Sequence, residues 1–411
     1  MPRPPETAPH LPNTAASRQD RAVLFGYNLR GEQFDADQSV AELAALAHSA
    51  GVEVVDILVQ HDVQPHAGML VSNDMVDRIK DAAEGVDATL IIFDGELKGS
   101  QRRNLEKTIK RPVVDRTETI LDIFAQRATS NAGKVQVELA QLLYELPRLR
   151  QGQLYEMAGA VTGGIGTRGP GESQLEVDKR RVRVRIDQLR KELKKLTGVR
   201  DVQRSGRRSR RIPVVALVGY TNAGKSTLMR LLTGADAYAD DRLFATLDPL
   251  TRRGYVPALN REVLFTDTVG FIARLPTTLV EAFKSTLEEA READLLLVVV
   301  DRADPDYVDK EQVVLDTLED IKAGDIPIIV VYNKIDQAPE VPQASREGSV
   351  YLSAITGEGI EDLHEQVAAK LMEIAIDSGW PVDTVSGPGS GSGSGSGSAD
   401  PEPPGLSSSA L

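Results

Sequence analysis

Gly219-Tyr220-Thr221-Asn222-Ala223-Gly224-Lys225-Ser226 constrains the fold of this chain more than any other stretch. It matches GxxxxGK[S/T] and lies between the apolar run Ile212 to Val218 and the helix-forming Thr227 to Leu232. A strand, a glycine turn and a helix start in that order gather backbone N–H groups around a phosphate chain, with the helix dipole behind them. Lys225 is expected to reach β- and γ-phosphate oxygens, and the Ser226 hydroxyl to ligate Mg²⁺. A plain glycine-containing turn would match the same pattern, so the motif needs support from elsewhere in the chain.

Two later segments supply it. Asp267-Thr268-Val269-Gly270 ends the apolar stretch Val263-Leu264-Phe265 and has the form DxxG. There a strand-end carboxylate can hold the Mg²⁺ shell through water, while Gly270 lets its backbone N–H approach a γ-phosphate. Asn333-Lys334-Ile335-Asp336 follows the strand-like Ile326 to Tyr332. Asp336 can accept from guanine N1–H and the 2-amino group, donors that adenine lacks, and Asn333 can bond the base edge and brace the loop. A carboxylate left unpaired by the wrong base disfavours that base. Ser353-Ala354, after Val350 to Leu352, offers a backbone N–H for the guanine carbonyl oxygen.

In this order the segments resemble the guanine-nucleotide signature of translation-factor-like GTPases, over about Ile212 to Ile376. The expected nucleotide contacts are Gly219 to Thr227, Asp267, Gly270, Asn333, Lys334, Asp336, Ser353 and Ala354, with GTP as substrate and GDP as product. Phe271 stands where Ras-type enzymes carry a water-orienting glutamine, and a phenyl ring cannot polarise water. Slow intrinsic hydrolysis, stimulated by a bound macromolecule, follows; Phe271 also reads as a core residue beside Ile272. Upstream, Thr246 in Asp241-Arg242-Leu243-Phe244-Ala245-Thr246-Leu247-Asp248-Pro249 is expected to close over Mg²⁺ and the γ-phosphate, with Thr251 as its rival. Lys225, Thr246 and Gly270 are then the catalytic set, and Ser226, Thr246 and Asp267 the metal set.

The FATLD segment and the later DTVGFI resemble the HflX family of ribosome-associated GTPases. Gly163-Gly164-Ile165-Gly166-Thr167-Arg168-Gly169-Pro170-Gly171-Glu172 is similar to the glycine-rich signature of that family. Five glycines and a proline in ten residues preclude a helix interior, so this is a loop. Heptad-like positions flank it: Val135, Leu139, Leu142, Leu146 and Leu149 before, Val182, Ile186, Leu189, Leu193 and Leu196 after. They predict an antiparallel helical hairpin. Its second arm, Lys179 to Arg211, holds 15 Lys/Arg against three Asp/Glu in a chain of net charge −13. That is a footprint for a polyanion, or else a solvated helix face. Arg168, Lys179, Arg180, Arg181, Arg183 and Arg185 are the candidate RNA contacts, through backbone or shape because no aromatic platform accompanies them.

About Arg21 to Thr129, apolar runs alternate with helical spacing, which predicts a small α/β domain. Phe93-Asp94-Gly95-Glu96-Leu97, Gln101 to Glu106 and Val114 to Glu118 resemble the N-terminal domain of the same family. Where its members carry a GKGK-like turn this chain has His66-Ala67-Gly68-Met69, so no nucleotide role is expected there. Asp94 and Asp115, each between a strand and turn residues, are expected to cap helices.

The fold class is therefore α/β: a P-loop GTPase domain with a mostly parallel sheet flanked by helices, preceded by a small α/β domain and an antiparallel helical hairpin. The expected divisions are a disordered arm at 1–20, the α/β domain at 21–130, the hairpin at 131–211, the GTPase domain at 212–378 and a disordered Gly/Ser/Pro-rich tail at 379–411. The absence of cysteine excludes disulfides, thiol chemistry and a Cys-based zinc site. No apolar run approaches the roughly 18 residues of a membrane span. A monomer in the cytoplasm, with room for a peripheral membrane-associated fraction, is expected. The family resemblance implies that the GTP form docks on the large ribosomal subunit and its RNA, to split or rescue stalled or idle ribosomes. Large-subunit maturation, a slowly hydrolysing regulatory module and RNA binding off the ribosome stay open.

Overall fold

The structure, a computed structural model, describes residues 20–32, 34–149, 174–209, 212–234, 243–244, 247–274, 276, 279, 289–338 and 348–377. The arm at 1–19, the loop Gly163 to Glu172 with Arg168, Thr246, and the tail from 378 lie outside them.

Short β-branched and aliphatic runs form the first sheet: β1 Arg21–Leu29, β2 Glu53–Val63, β3 Leu90–Phe93 and β4 Val113–Asp115. Its order is β2-β1-β3-β4, and every pair is parallel. Parallel neighbours need crossovers, here α1 Ala36–Ser49, α2 Asn73–Gly85 and α3 Gly99–Ile109, with α4 Arg116–Arg127 following β4. Side-chain caps fix three of these starts. Asp35 accepts from Asp37 N–H, Ser72 from Met75 N–H, and Asp115 from Glu118 N–H, each meeting an otherwise orphan donor. Asp115 is thus the expected cap, but Asp94 is not. Helix α3 is capped at Lys98, and Asp94 is wholly buried against Arg116 and Arg274 instead. Two arginines outcompete a local turn for that carboxylate.

Helices α5 Asn131–Glu145 and α6 Gln174–Ser209 come next. Val135, Leu139 and Leu149 pack with Val182, Ile186 and Leu189, at the spacing read from the sequence. Each such side chain contributes about 1.5–3 kcal/mol when fully buried.

The second sheet has β5 Val214–Gly219, β6 Leu250–Val256, β7 Arg261–Asp267, β8 Leu295–Asp301, β9 Ile328–Asn333 and β10 Ser349–Tyr351. Its order is β10-β9-β8-β5-β7-β6, parallel except for the β6–β7 pair. Helices α7 Lys225–Thr233, α8 Tyr307–Asp320 and α9 Ile360–Asp377 flank it. The parallel register brings the carboxyl ends of β5, β7 and β9 to one edge, where open α/β sheets bind ligands. A single buried cluster joins the two sheets, uniting Leu24, Leu43 and Phe124 with Val218, Phe244 and Phe271. Phe124 and Phe244 meet edge to face at 4.8 Å between centroids.

Candidate functional site

The turn after β5 exists because glycine occupies its tightest points. A Cβ on Gly219 would lie 2.2 Å from the Val299 carbonyl oxygen, and one on Gly224 2.2 Å from Asn333 Nδ2. Gly224 (φ 93°) and Asn222 (φ 62°) take left-handed backbone, and α7 starts at the next residue, Lys225. Lys225 is buried, with Nζ donating to the Gly219 carbonyl at 3.1 Å and the Tyr220 carbonyl at 2.8 Å. Burial lowers its pKa to about 8, against the pull of Asp267. A buried cation whose charge is disfavoured by desolvation favours the arrival of an anion.

Ser226 Oγ donates to Asp267 Oδ2 at 2.7 Å, which brings the α7 start and the β7 end together. Gly270 follows three residues on. Its Cβ would fall 2.8 Å from Thr221 Cγ2 and 3.1 Å from Lys225 Nζ, so the backbone passes the loop at a distance only glycine allows. Phe271 pairs with the loop through its backbone, accepting from Thr221 N–H at 2.8 Å and donating to the Gly219 carbonyl at 3.0 Å. Its ring is buried in the shared core.

Asn333 ties this region to a second one. Its Nδ2 donates to the Ala223 carbonyl at 2.9 Å, and its Oδ1 accepts from Ala354 N–H at 2.9 Å. Lys334, at φ 64°, pairs with Asp301 at 2.6 Å. Asp336 is exposed, and a hydrogen bond from the Ser353 side chain holds its carboxyl below the usual range. Ser353 and Ala354 are buried on the loop after β10. Lys225, Ser226, Asp267, Gly270, Asn333 and Ala354 therefore gather around the ends of three parallel strands. Thr227 lies in the first turn of α7.

Thr251, the arginines near the switch segments and the basic residues of α6 are engaged elsewhere or spread out. Thr251 is in β6, its hydroxyl 3.1 Å from that of Thr266. Arg253 pairs with Glu262, and Arg274 with Asp94 at 2.8 Å, stacked over Phe34. On α6, Arg180, Arg181 and Arg183 are exposed and Lys179 is half-buried. Arg185 makes a bidentate pair with Glu138 of α5, at 2.6 and 2.8 Å. Among the described residues, no group of three or more His, Cys, Asp or Glu side chains is arranged to hold a metal, and no helix is long and apolar enough to cross a membrane.

Sequence reasoning missed the side chain of Tyr220, which points from the phosphate loop to Glu42 of α1. A tyrosine at a position whose backbone alone serves the motif was the visible signal. It missed Asp248 as well, whose carboxylate accepts from Ser130 N–H at 2.9 Å and Thr129 Oγ1 at 3.1 Å at the start of α5.

Three family profiles match the chain: GTP-binding GTPase N-terminal over residues 37–125, GTP-binding GTPase Middle Region over 127–207, and 50S ribosome-binding GTPase over 214–334. The chain is 47% identical over 360 residues to GTPase HflX of Caldanaerobacter subterraneus, covering 87% of this chain and 82% of that one. It is 44% identical over 340 residues to GTPase HflX of Escherichia coli, covering 81% and 79%. Among solved structures it is similar to a GTP-binding protein from the archaeon Sulfolobus solfataricus in complex with GDP. That match has 25% identity and a TM-score of 0.45, and covers 86% of this chain and 99% of the other.

Proposed function

The chain belongs to the HflX family of GTPases, and from that premise we propose a GTP-hydrolysing switch that docks on the large ribosomal subunit in its GTP form and splits or rescues stalled or idle ribosomes. The observation that carries the nucleotide part is Asn333. By bonding both Ala223 and Ala354 it welds the anion-binding turn to the loop beside Asp336, a geometry suited to a purine nucleoside polyphosphate. Gly219 to Thr227 hold the phosphates, Lys225 neutralises the γ charge, and Asp336 with the Ser353-Ala354 loop selects guanine.

Mg²⁺ fits the donors present, since Ser226 Oγ and the Asp267 carboxylate are hard oxygens 2.7 Å apart beside the turn. Magnesium takes few protein oxygens and completes its shell with water and phosphate. When bound it would neutralise charge on the β- and γ-phosphates. We assign Ser226 and, through water, Asp267 to it, with Thr246 as the third ligand; Gly270 N–H approaches the γ-phosphate.

In this reading 21–130 is a small α/β domain, 131–211 an antiparallel hairpin and 212–378 the GTPase domain. The arm at 1–20 and the tail at 379–411 flank them. The exposed Arg180, Arg181 and Arg183, with Lys179 and Arg168, meet ribosomal RNA, while Arg185 braces α6 on α5. The protein acts as a cytoplasmic monomer. Because Phe271 is buried, hydrolysis is slow until the subunit is bound, and a regulatory module that barely turns over is the second reading.

Steady-state GTP turnover with and without large subunits tests the proposal. Stimulation by subunits, lost in Lys225→Ala and shifted toward xanthosine triphosphate in Asp336→Asn, is expected. Tight GTP-dependent subunit binding without stimulation would replace the enzyme reading by the regulatory one.

A further inference from the structure

Ala273 lies three residues beyond Gly270, and side chains hold both of its backbone polar atoms. Its N–H donates to the Tyr220 hydroxyl at 2.7 Å, and its carbonyl accepts from Arg116 Nη2 at 3.3 Å. Glu42 closes the circuit. One of its carboxylate oxygens accepts from the Tyr220 hydroxyl and the other from Arg116 Nη2. Tyr220 belongs to the phosphate loop and Ala273 to the turn after β7, while Glu42 and Arg116 come from α1 and α4 of the other sheet. Arg116 and Tyr220 are buried, and the Glu42 side chain is 16% exposed. Charge-assisted bonds in so dry a setting are strong and depend on one another.

The loop motif asks only for backbone at position 220, so this hydroxyl is an addition that the phosphates do not explain. Its effect falls on the opposite side. Phe271 is zipped to the loop by two backbone bonds, and Ala273 is gripped two residues later, so the segment leaving Gly270 is fixed along its length. With the Phe271 ring committed to the core, no side chain at that position can guide a water. Preorganised backbone donors and Lys225 then carry more of the hydrolysis, so their placement matters in proportion.

We propose that Tyr220 is a positioning residue for GTP hydrolysis: its hydroxyl, oriented by Glu42 and Arg116, sets the turn that carries Gly270 against the phosphate loop. The proposal rests on the GTP-hydrolysis reading above. It makes the N-terminal sheet a structural part of the hydrolytic site, through the Tyr220 hydroxyl together with the Arg116 bond to the Ala273 carbonyl.

The test uses the full chain with Tyr220→Phe, Glu42→Gln and the double variant. Steady-state GTP kinetics, affinity for a fluorescent GDP analogue and the melting temperature are read for each. Because a misplacement of about 1 Å can cost on the order of 100-fold, Tyr220→Phe is expected to lower kcat by about tenfold or more. KM and GDP affinity should stay within about twofold, since the loop backbone is untouched. Glu42→Gln can keep one oxygen to accept from Tyr220 but then turns its NH₂ toward Arg116 Nη2, losing both the charge and the acceptor there, so kcat is expected to fall less than in Tyr220→Phe, roughly threefold. The double variant should be no slower than Tyr220→Phe, because both act through one circuit. Unchanged or raised kcat in Tyr220→Phe, a loss lying wholly in KM, or additive losses accompanied by a lowered melting temperature would make the circuit a mere domain contact and overturn the proposal. If the unmodified chain binds GDP yet shows no turnover, the hydrolysis reading itself fails and takes this one with it.

Discussion

At the carboxyl end of β3 the chain places Asp94, and at the carboxyl end of β5 it places Gly219. Both strands lie inside their sheets between parallel neighbours, at the switch in strand order where open α/β sheets bind ligands. At the first, the protein's own side chains take the strand end. Asp94 takes Arg116 at 2.9 Å and Arg274 at 2.8 Å, and the second arginine comes from the nucleotide sheet. At the second, glycines let the backbone pass at distances that a Cβ would block, and a buried lysine supplies positive charge. An acidic strand end plugged by arginine reads as an interface, and a glycine-rich cationic one as an anion site. The same architecture thus serves a partner in one half and a ligand in the other. The chemistry at a single strand end decides which.

The sharpest way to break this contrast is Lys225→Ala. Loss of the charge that meets the γ-phosphate is expected to reduce GTP turnover on the order of 10²–10³-fold, measured as kcat. Folding should not suffer, because the substitution removes a desolvated cation whose pKa burial has already lowered to about 8. A thermal melt at or above that of the unmodified chain is the companion result. Turnover within tenfold of normal would mean that the β5 end is not the anion site.

The complementary change is Asp94→Asn, which leaves shape intact and strips the charge between two arginines. Arg116 would keep Glu42 as its ion-pair partner but lose Asp94, and breaking a buried pair costs roughly 3–5 kcal/mol. Urea unfolding should show that loss, with GDP affinity little altered. The reverse pattern, weaker GDP binding at unchanged stability, would make the β3 end part of the ligand site and erase the distinction.

The two strand ends also differ in how far the sequence disclosed them. The turn at Gly219, the carboxylate at Asp267 and the amide at Asn333 are local patterns, each a strand followed by small or polar residues, and each falls at a strand end of one sheet. The spacing of Val135, Leu139, Val182 and Ile186 was equally legible, since periodicity shows on its own helix. Asp94 was not. A carboxylate after a strand reads as a helix cap, and nothing local announces that Arg274, 180 positions away, will claim it. The Tyr220–Glu42 bond spans 178 positions and was hidden for the same reason. Long-range polar pairing depends on how two sheets dock, which no period of two or 3.6 encodes.

Titration separates the halves more gently. Burial puts Lys225 near pKa 8, below the ordinary lysine value. The free protein therefore loses that proton as pH rises through about 8, while a bound phosphate favours the charged form. Affinity for GTP should be flat below pH 8 and fall by up to about tenfold per unit above it, with proton uptake on binding. Calorimetric titrations in buffers of different ionisation heat measure that uptake. Folding of the unliganded chain responds with the opposite sign. Between about pH 8 and the ordinary lysine pKa the unfolded chain holds more protons at this site, so the contribution of Lys225 to stability rises with pH. A GTP affinity independent of pH across this window would remove the buried cation from the binding site.

The smallest effect tests the other join between the sheets. Gly133 lies in the first turn of α5, where alanine would favour the helix by about 0.5–1 kcal/mol. Yet a Cβ there would sit 2.5 Å from Asp248 Oδ1. That carboxylate accepts from Ser130 N–H, Ser130 Oγ and Thr129 Oγ1, so it satisfies donors at the helix start from across the molecule. Displacing it loses charge-assisted bonds worth about 1.5–3 kcal/mol each when kept whole, against the gain in propensity. Gly133→Ala should therefore destabilise by roughly 1 kcal/mol net, and amides in the first turn of α5 should exchange faster with deuterated solvent. Asp248→Ala should reproduce the faster exchange, and adding Gly133→Ala to it should then stabilise, because only the helix preference remains. If Gly133→Ala stabilises the unmodified chain as well, the carboxylate carries no weight at that join, which leaves Phe124 against Phe244, the arginines at Asp94 and the Tyr220–Glu42 circuit to hold the two sheets.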